Sequence, residues 1–437
     1  MLHKLLPLAL IAFSLSACAS EKNPGSESPA REEVARDTRE LPEPQEGTKT
    51  QNFSRVIGWP EGKMPTVPTG FTISRFANKL ENPRWIYAGP NGDIFVAEAQ
   101  TIPRTEEAKE KLKKKGPSER QTPSANRITL LRDKNGDGTV DERLVFATGL
   151  NQPFGMEILG KYFYVAVTDG LWRYPYQPGQ TKLAMAKGKK ILSLPAGGYN
   201  NHWTRNVIAK PDGSKLYISV GSGSNVGENG IDKEKRRANV LEINPDGSGE
   251  RIFAAGLRNP VGLDWNPDTG ALWTAVNERD ELGDELVPDY LTAIKEGGFY
   301  GWPYAYMGPR EDPRRKGERP DLVAKTITPD VLLGSHTASL GLSFYDQSAF
   351  PARYHGGAFV GQHGSWNHTE LVGYKVVFVP FKDGRPAGPP EDFVTGFLKG
   401  DGSNDVYGRP VGVTTLANGS MLIADDAAGT IWMVKSY

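Results

Sequence analysis

Residues 259–275 read NPVGLDWNPDTGALWTA and contain the unit on which the fold prediction depends. An apolar stretch leads through a Pro-Asp-Thr-Gly turn into a second stretch of aromatic and β-branched residues, which is the pattern of two hairpin-connected strands. Similar units begin near five other positions: Asn82, Asn151, His202, His336 and Arg409. Units that return at intervals of roughly 50 to 80 residues suit four-stranded blades with loop insertions and are too long for a β-helix. The sequence therefore predicts an all-β fold, a six-bladed β-propeller.

Composition narrows the class of protein further. The chain has 437 residues, 52 Lys and Arg against 52 Asp and Glu, and one cysteine. Its length suggests two domains or one large closed architecture, and six copies of one unit favour the second over a pair of β-sandwiches. The balanced charge argues against nucleic-acid binding. A single cysteine excludes an intramolecular disulfide framework and thiolate metal sites.

The N-terminus has the pattern of an exported lipoprotein. A basic start is followed by an apolar run over residues 5–15 and by Leu15-Ser16-Ala17-Cys18, which resembles a bacterial lipobox. We expect a signal peptide over 1–18 with lipidation at Cys18, a disordered tether over 19–55 and the propeller over 56–437. The alternative is a signal peptide with an incidental cysteine. Export with a lipid anchor predicts the periplasmic face of a bacterial membrane or the cell surface, and Ala19 after the cysteine favours the outer membrane.

Polar residues stand at the head of the first strand in each repeat. They are Arg84, Gln152, His202, Arg258 with Asn259, His336 and Arg409. If these strands line the central channel, the heads face one mouth of it. The set either hydrogen-bonds blade to blade or holds an anionic ligand on the propeller axis, and the excess of cations favours the ligand.

Four linked motifs carry a family resemblance. They are HWTRN at 202–206, GLRNP at 256–260, NERDELGDE at 277–285 and YGWP at 300–303. In combination they resemble the soluble glucose and sorbosone dehydrogenases over residues 56–437. The resemblance implies a six-bladed propeller that binds pyrroloquinoline quinone (PQQ) with Ca²⁺ and oxidises an aldose or a related, sorbosone-like sugar. The electrons would pass to a cytochrome or a membrane quinone.

The resemblance also implies roles for single residues. His202 corresponds to the catalytic base, and a neutral imidazole can accept the hydroxyl proton of the sugar. Arg258, Asn259 and Arg409 fall on cofactor-contacting positions, where arginines can pair with carboxylates. The remaining expected cofactor contacts are Asn225, His336, Thr337 and His363. Either His363 or Ser365 stands where the family has a lysine.

Two acidic segments are candidate Ca²⁺ sites. The family holds its catalytic calcium partly through backbone carbonyls of a Gly-Pro turn, and this chain has Arg279-Asp280-Glu281 there, so either Asp280 supplies a side-chain ligand or the turn is built differently. Asp284 and Glu285 match an acidic pair associated with a second, structural calcium. Separately, a loop places oxygens at alternate positions, as calcium loops do: Asp133, Asn135, Asp137 and Asp141. Its twelfth position is Leu144, so it is either a hairpin turn or an incomplete calcium site.

Two other functions remain open. A Ca²⁺-dependent lactone hydrolase can use a six-bladed propeller, although it needs axial carboxylates where this chain has mainly cations. A non-catalytic extracellular binding propeller is the other alternative. We expect substrate choice to depend on the insertions at 225–237 and 304–333, and the charged segment 104–120 is either a short solvated helix or, as favoured, a surface insertion between strands.

Overall fold

Six four-stranded antiparallel sheets follow one another along the chain. The structure is a computed structural model and describes residues 40–47, 50–118, 123–198 and 200–437. The sheets form the predicted six-bladed β-propeller, so the fold prediction is confirmed. Five blades use consecutive segments of the chain. The predicted signal peptide and Cys18 lie outside the described residues.

The strands of each blade run outward from the channel in chain order. Blade 1 consists of Pro83–Ala88, Ile94–Glu98, Arg127–Arg132 and Glu142–Ala147. Blade 2 consists of Pro153–Leu159, Tyr162–Val167, Gly170–Pro175 and Lys189–Ser193. Blade 3 consists of Arg205–Ala209, Leu216–Val220, Asn239–Ile243 and Arg251–Ala255. Blade 4 consists of Pro260–Trp265, Leu272–Val276, Pro288–Ala293 and Val331–Ser335. Blade 5 consists of Ser343–Phe344, Ala358–Gln362, Lys375–Val379 and Glu391–Val394.

Blade 6 joins the two ends of the propeller. Its inner three strands are Pro410–Thr415, Met421–Asp425 and Thr430–Ser436, and its outer strand is Phe71–Ala77 from the start of the propeller. The outer strand pairs antiparallel with Thr430–Ser436, which places Ile73 opposite Val434. The ring is therefore closed by backbone hydrogen bonds between distant parts of the chain, which leaves fewer open sheet edges.

The core is divided among the faces between neighbouring blades. Each of the six blade interfaces has its own cluster of buried apolar side chains, including the interface between blades 6 and 1. Between blades 1 and 2, for example, the Phe95 and Phe163 rings lie 4.9 Å apart. The second strand of a blade is buried on both faces, as in Ile94–Glu98, Leu216–Val220 and Leu272–Val276, so its sequence is apolar almost throughout, whereas the outer strands are partly exposed.

In blades 2 and 4, a glycine near the start of the inner strand lets that strand lie close to the backbone of the next blade. A Cβ added to Gly155 would lie 2.5 Å from the Val207 backbone nitrogen of blade 3, and one added to Gly262 would lie 2.7 Å from the Leu342 nitrogen. Only a residue without a side chain fits such contacts. The Pro-x-Gly pattern therefore marks the inner strand of a blade, next to the channel.

The remaining elements are short and lie outside the blades. Three two-residue pairs occur: Arg55–Val56 with Asp405–Val406, Ala305–Tyr306 with Arg310–Glu311, and Phe381–Lys382 with Arg385–Pro386. The α-helices are Glu106–Lys115 and Pro320–Val323, and 3₁₀ turns occupy Gly116–Ser118, Met185–Lys187, Ile231–Glu234, Pro313–Arg315 and Ala352–Tyr354. Among the described residues, no helix has the length and apolar character needed to cross a bilayer.

The described end of the predicted tether lies against the propeller. The Gln45 backbone nitrogen donates to the Leu282 carbonyl at 3.0 Å, and the Asn52 nitrogen donates to the Trp366 carbonyl at 2.9 Å. Arg55 pairs with Asp405 at 2.6 Å. Residues 50–55 are therefore held against the propeller by backbone and ionic contacts. The sequence, in contrast, predicted that the disordered tether extends to residue 55.

Candidate active site

The heads of the inner strands meet in one cavity at a mouth of the channel. The cavity has an empty volume of about 910 Å³ including its open side, within the range of ligand pockets. Six of the predicted residues line it: Arg84, His202, Arg258, Asn259, His336 and Arg409. Gln152 lines a neighbouring cavity instead. The prediction that these heads converge is confirmed for every repeat except the second.

His202 is held in one tautomer. Its Nδ1 lies 3.0 Å from both the Ser222 carbonyl oxygen and Ser222 Oγ. Since the Ser222 hydroxyl donates its own hydrogen to the Ser224 carbonyl at 2.6 Å, both Ser222 oxygens can only accept from His202. The proton therefore sits on Nδ1, and Nε2 keeps a lone pair, toward which the Asn201 amide nitrogen lies at 3.3 Å.

The surroundings of His202 favour its neutral form. Burial and the nearby charge of Arg258 hold the pKa of His202 well below 6.5. A neutral imidazole whose Nε2 exchanges the 3.3 Å contact with the Asn201 amide for a substrate hydroxyl can accept a proton at the cavity wall. The geometry thus fits the predicted role of a base.

Two lining side chains have polar atoms that a ligand would satisfy. Asn259 is 4% exposed, and its Oδ1 is buried without a hydrogen-bond partner in the part of the chain that the structure describes. The same holds for Arg84 Nε. A Cβ on Gly221 would lie 2.3 Å from Asn259 Oδ1 and 2.7 Å from the His202 Cβ, so this glycine allows the two side chains to lie close together. Unpaired buried polar atoms are costly, and a bound polar ligand would remove that cost.

Arg258 is anchored within the protein. Its Nε donates to the Asn225 carbonyl at 3.1 Å, and its Nη1 donates to the Glu278 carbonyl at 2.5 Å. Its Nη2 donates to Asn225 Oδ1 at 2.9 Å. The guanidinium therefore supplies positive charge to the cavity, but a bidentate pair with a ligand carboxylate would require it to exchange some of these bonds.

Asn225 is a positioning residue that holds Asp280 and Arg258 in the cavity wall. Its Oδ1 accepts from the Asp280 backbone nitrogen at 3.0 Å, and its Nδ2 donates to the Asp280 carbonyl at 3.1 Å. The carboxamide thus binds both backbone groups of Asp280 as well as Arg258. We expected a cofactor contact at Asn225, and the structure shows it holding two residues of the cavity wall.

His336 and Asp280 form an ion pair at the cavity. His336 Nδ1 lies 3.3 Å from Asp280 Oδ1, and its Nε2 lies 2.9 Å from the Gly283 carbonyl oxygen. Both partners only accept, so both ring nitrogens carry protons. Burial opposes the charge, but the Asp280 carboxylate raises the pKa of His336 above 6.5, and His336 and Arg258 hold the pKa of Asp280 at about 2.

A second ionic group joins blades 1, 5 and 6. Asp426 accepts from Arg84 Nη1 at 2.7 Å and from His363 Nε2 at 2.9 Å. Arg409 donates from Nε to the His363 carbonyl and from Nη2 to the Gly364 carbonyl, each at 3.0 Å. Burial and the Arg409 charge lower the pKa of His363 to about 4. His363 therefore lies in the cavity as a neutral group. It is one of the two residues, with Ser365, that the resemblance places where the family has a lysine.

Thr337, Asp284 and Glu285 also lie outside the cavity lining. The Thr337 hydroxyl donates to buried Asp289 at 3.0 Å, so it faces the blade interior rather than the cavity, where a cofactor contact was expected. The reason is local: His336 and Ala338 have left-handed backbones and line the cavity, while Thr337 turns away between them. Asp284 accepts from the Thr369 backbone nitrogen at 3.1 Å, and neither Asp284 nor Glu285 lines the cavity.

The turn at residues 279–281 is occupied by a cation of the protein. Arg279 donates from Nε and Nη2 to the Asp280 carbonyl oxygen at 3.0 and 2.8 Å. Its Nη1 pairs with Asp312 at 2.5 Å. The backbone oxygen that a calcium ion would need is thus already bonded, and the residues present at this turn do not fit Ca²⁺.

The loop 133–141 uses its oxygens to close itself. Asp133 accepts from the Gly136 and Gly138 nitrogens at 2.8 and 2.7 Å. Asp141 accepts from the Lys134 nitrogen at 2.6 Å, and Asn135 donates to Asp137 at 3.0 Å. Among the described residues, no three His, Cys, Asp or Glu side chains come together as a metal site would require. Both interpretations of this loop, a hairpin turn and a calcium site, remain predictions.

The helix Glu106–Lys115 lies at the edge of the cavity. Thr105 caps it by accepting from the Ala108 nitrogen at 3.1 Å, and Lys111 and Lys115 line the cavity. The segment thus contains the short helix, it is inserted between two strands of blade 1 as the favoured alternative had it, and its two lysines make it part of the site. The spacing of Lys111 and Lys115, four residues apart, was the available signal, because such positions share a helix face.

Comparisons with known proteins support the same assignment. A family model described as Glucose / Sorbosone dehydrogenase matches residues 179–374, and one described as TrAA12-like matches residues 318–437. An aldose sugar dehydrogenase of Escherichia coli is 30% identical over 168 residues, which cover 38% of this chain and 40% of the relative. The chain resembles the PQQ-dependent soluble sugar dehydrogenases, and all four motifs lie within the residues that the glucose/sorbosone dehydrogenase model matches. The resemblance predicted from the four motifs is therefore confirmed.

Two further comparisons define the extent of the likeness. An uncharacterized protein of Borreliella burgdorferi is 28% identical over 378 residues, which cover 84% of this chain and 90% of that protein. The holo PQQ domain of the pyranose dehydrogenase from Coprinopsis cinerea superposes with a TM-score of 0.68 at 20% identity, over 88% of this chain and all of that domain. The structural likeness spans the whole propeller and shows its fold.

The lining of the cavity fits a polycarboxylate quinone. Positive charge comes from Arg84, Arg258, Arg409, His336 and the two helix lysines. The unpaired Asn259 Oδ1 and Arg84 Nε give the cavity an acceptor and a donor for a ligand. Because PQQ carries three carboxylates and quinone oxygens, this combination of charge and hydrogen-bonding groups suits it.

Proposed function

We propose that this protein is a quinoprotein oxidoreductase that oxidises an aldose or a related, sorbosone-like sugar, with hydride transfer to PQQ and with His202 as the general base. The observation that carries the proposal is the state of His202. Its Nδ1 proton is fixed on Ser222, and its Nε2 lies at a cavity rich in cations, where a sugar hydroxyl can replace the 3.3 Å contact with the Asn201 amide nitrogen. When bound, PQQ supplies an ortho-quinone that accepts the hydride from the sugar carbon.

The residues of the chain account for proton transfer. The sugar hydroxyl gives its proton to His202 Nε2, and the Ser222 oxygens stabilise the imidazolium through the Nδ1 proton. Burial and the Arg258 charge lower the pKa of His202 when the cavity holds no cofactor. Carboxylates bound in the cavity offset the Arg258 charge and bring the pKa of the base closer to neutral pH, where a general base is most effective.

A second cavity next to His202 is suited to the sugar. It has an empty volume of about 600 Å³ and shares Asn201, Trp203 and Lys111 with the first cavity. Trp203 offers an aromatic face, and Asn200 and Gln152 offer amide groups for hydroxyls. The helix Glu106–Lys115 borders this cavity, so we propose that this helix, in addition to the insertions at 225–237 and 304–333, influences substrate choice.

We derive no catalytic step through calcium. Calcium assistance was expected at residues 279–281, and the Arg279 guanidinium on the Asp280 carbonyl argues against it there. The lactone hydrolase alternative meets the same difficulty, since Asp280 is the sole carboxylate among the described residues that line the cavity. A non-catalytic binding propeller remains an outcome of the experiment below.

The cellular setting of the proposal rests on the N-terminal sequence. We propose that residues 1–18 are a signal peptide, that Cys18 carries the lipid anchor and that the propeller over 56–437 faces the periplasm or the cell surface. A cytochrome or a membrane quinone is the electron acceptor in this setting. The lipid anchor would be the contact with the membrane.

The test is reconstitution of the cofactor-free protein. We expect PQQ to bind in an absorbance titration and the loaded protein to reduce an artificial dye in the presence of an aldose. His202→Ala should lower turnover by about 10²- to 10⁴-fold, because it removes the base, while PQQ still binds. Dye reduction is compared across a panel of aldoses, ketoaldoses and lactones.

His355→Ala is the matched control. His355 bonds the Phe350 carbonyl in blade 5 and is not a lining residue of the cavity, so its loss should leave turnover unchanged. PQQ binding without turnover of any sugar would favour the binding propeller. Lactone opening without added quinone would favour the hydrolase.

A further inference from the structure

We propose that a cation of the protein itself, the Arg279 guanidinium, takes the place of a calcium ion at the turn 279–281, so that cofactor binding at this site needs no divalent metal. The proposal rests on the proposed PQQ function and concerns the same site. It begins from the Asp280 carbonyl oxygen, the backbone group at the position where the related family binds its metal.

That carbonyl oxygen is fully used. It accepts from Arg279 Nε at 3.0 Å, from Arg279 Nη2 at 2.8 Å and from Asn225 Nδ2 at 3.1 Å. A carbonyl oxygen has two lone pairs, so three donors leave it none to offer a metal. Calcium requires about 6–8 oxygen ligands at about 2.3–2.6 Å. A Ca²⁺ ion at that distance from the Asp280 carbonyl oxygen would also be repelled by the Arg279 guanidinium.

Arg279 cannot easily move aside. Its Nη1 pairs with Asp312 Oδ2 at 2.5 Å, and the two side chains are 1% and 3% exposed. Asp312 is itself fixed, because its Oδ1 accepts from the Arg314 backbone nitrogen at 3.0 Å. Breaking a buried ion pair leaves an uncompensated charge, so the guanidinium stays on the turn.

The carboxylates of the turn are also paired with protein cations. Asp280 lies 3.3 Å from His336 Nδ1 and 3.5 Å from Arg258 Nη2, and Glu281 pairs with Arg314 at 2.5 Å. Each negative charge that might attract a metal here has a cation beside it. The turn is therefore neutralised by arginine and histidine side chains. These ion pairs, rather than a bound metal ion, hold it in the wall of the cavity.

The first test compares PQQ binding with and without calcium. The full chain is stripped of metal with a chelator and titrated with PQQ, once with chelator present and once with millimolar Ca²⁺, and binding is followed by PQQ absorbance. We expect the same Kd in both titrations. Binding that occurs only with Ca²⁺ would overturn the inference, whereas absence of binding in both would contradict the proposed function.

A calorimetric titration of Ca²⁺ alone decides the question independently of PQQ. The loop 133–141 is first disabled with Asp137→Asn and Asp141→Asn, and the acidic pair with Asp284→Asn and Glu285→Gln, so that any binding at those two predicted sites does not contribute. We expect no remaining heat of binding. Residual Ca²⁺ binding that disappears on Asp280→Asn would place a metal at the turn and refute the inference.

Arg279 is tested as a positioning residue with a double variant. Arg279→Gln with Asp312→Asn removes both charges and avoids an unpaired buried carboxylate, and we expect PQQ affinity to fall about tenfold in the absence of metal. The control is Arg132→Gln with Asp93→Asn, an ion pair of blade 1 at 2.6 Å away from the cavity lining. Equal loss of PQQ affinity in both double variants, or none in either, would show that Arg279 has no special role.

Discussion

At the scale of single residues, the site depends on which proton each histidine carries. His202 has its Nδ1 proton on Ser222 and a lone pair on Nε2, whereas His336 has acceptors at both nitrogens and is charged. His363 is neutral and bonded to Asp426. The sequence shows three similar histidines, and only their partners in space distinguish a base, a cation and a wall residue.

A proton titration of His202 tests this difference directly. In the cofactor-free protein we expect the His202 ring resonances to stay at the neutral position as the pH falls to 6.5 and somewhat below, because burial and Arg258 lower its pKa. Adding PQQ should shift the pKa upward, since the added carboxylates offset Arg258. The measurement is an NMR pH titration, with His202→Ala for assignment. Titration near pH 6.5 in the absence of PQQ would contradict the environment described.

At the scale of elements, the helix Glu106–Lys115 divides its charges between two faces. Lys109 and Lys113 pair with Glu106 and Glu110 at 2.6 Å on the exposed side. Lys111 and Lys115 line the cavity. The helix therefore extends the cationic wall over the mouth of the channel.

This division provides a matched pair of variants. Lys111→Gln with Lys115→Gln should weaken PQQ binding by about tenfold at low salt, because two charges near a tricarboxylate are lost, and should reduce the salt dependence of binding. Lys109→Gln with Lys113→Gln removes the same charge from the exposed face and should leave PQQ binding nearly unchanged. PQQ titrations at two ionic strengths measure both effects, and equal effects of the two pairs would contradict a role for the helix face.

At the scale of the whole molecule, ring closure depends on the strand Phe71–Ala77. Phe71 is 6% exposed and lies against Phe350, Tyr354 and Phe393 with ring centroids 4.7 to 5.3 Å apart. These rings belong to the interface between blades 5 and 6. The strand thus contributes both backbone pairing and a buried aromatic contact to the last blade.

Phe71→Ala should lower the free energy of unfolding by about 3–5 kcal/mol, the usual cost of removing a buried aromatic ring. Thr72→Ala, at an exposed position of the same strand, should change it little. Denaturant unfolding followed by circular dichroism measures both. A small effect of Phe71→Ala would mean that the outer strand is not needed to close the ring.

The sequence by itself determined the architecture and the family resemblance. The inner strands and their turns repeat in order, with Pro-x-Gly at the start of the inner strand in blades 2, 4 and 6, and such local patterns decide strand, turn and blade without knowledge of distant contacts. The same regularity predicted that Arg84, His202, Arg258, His336 and Arg409 would converge, because each stands at one place in its repeat.

Only the tertiary structure decided how the converged residues are paired. Arg279 and Asp312 are 33 residues apart, and His363 and Asp426 are 63 apart, so no local pattern indicates that they meet. Charge state and metal preference depend on these pairings, since a buried group responds to the charges within a few ångströms of it. For this reason the sequence led to an expected calcium at residues 279–281, and the folded chain instead places the Arg279 guanidinium on the Asp280 carbonyl oxygen.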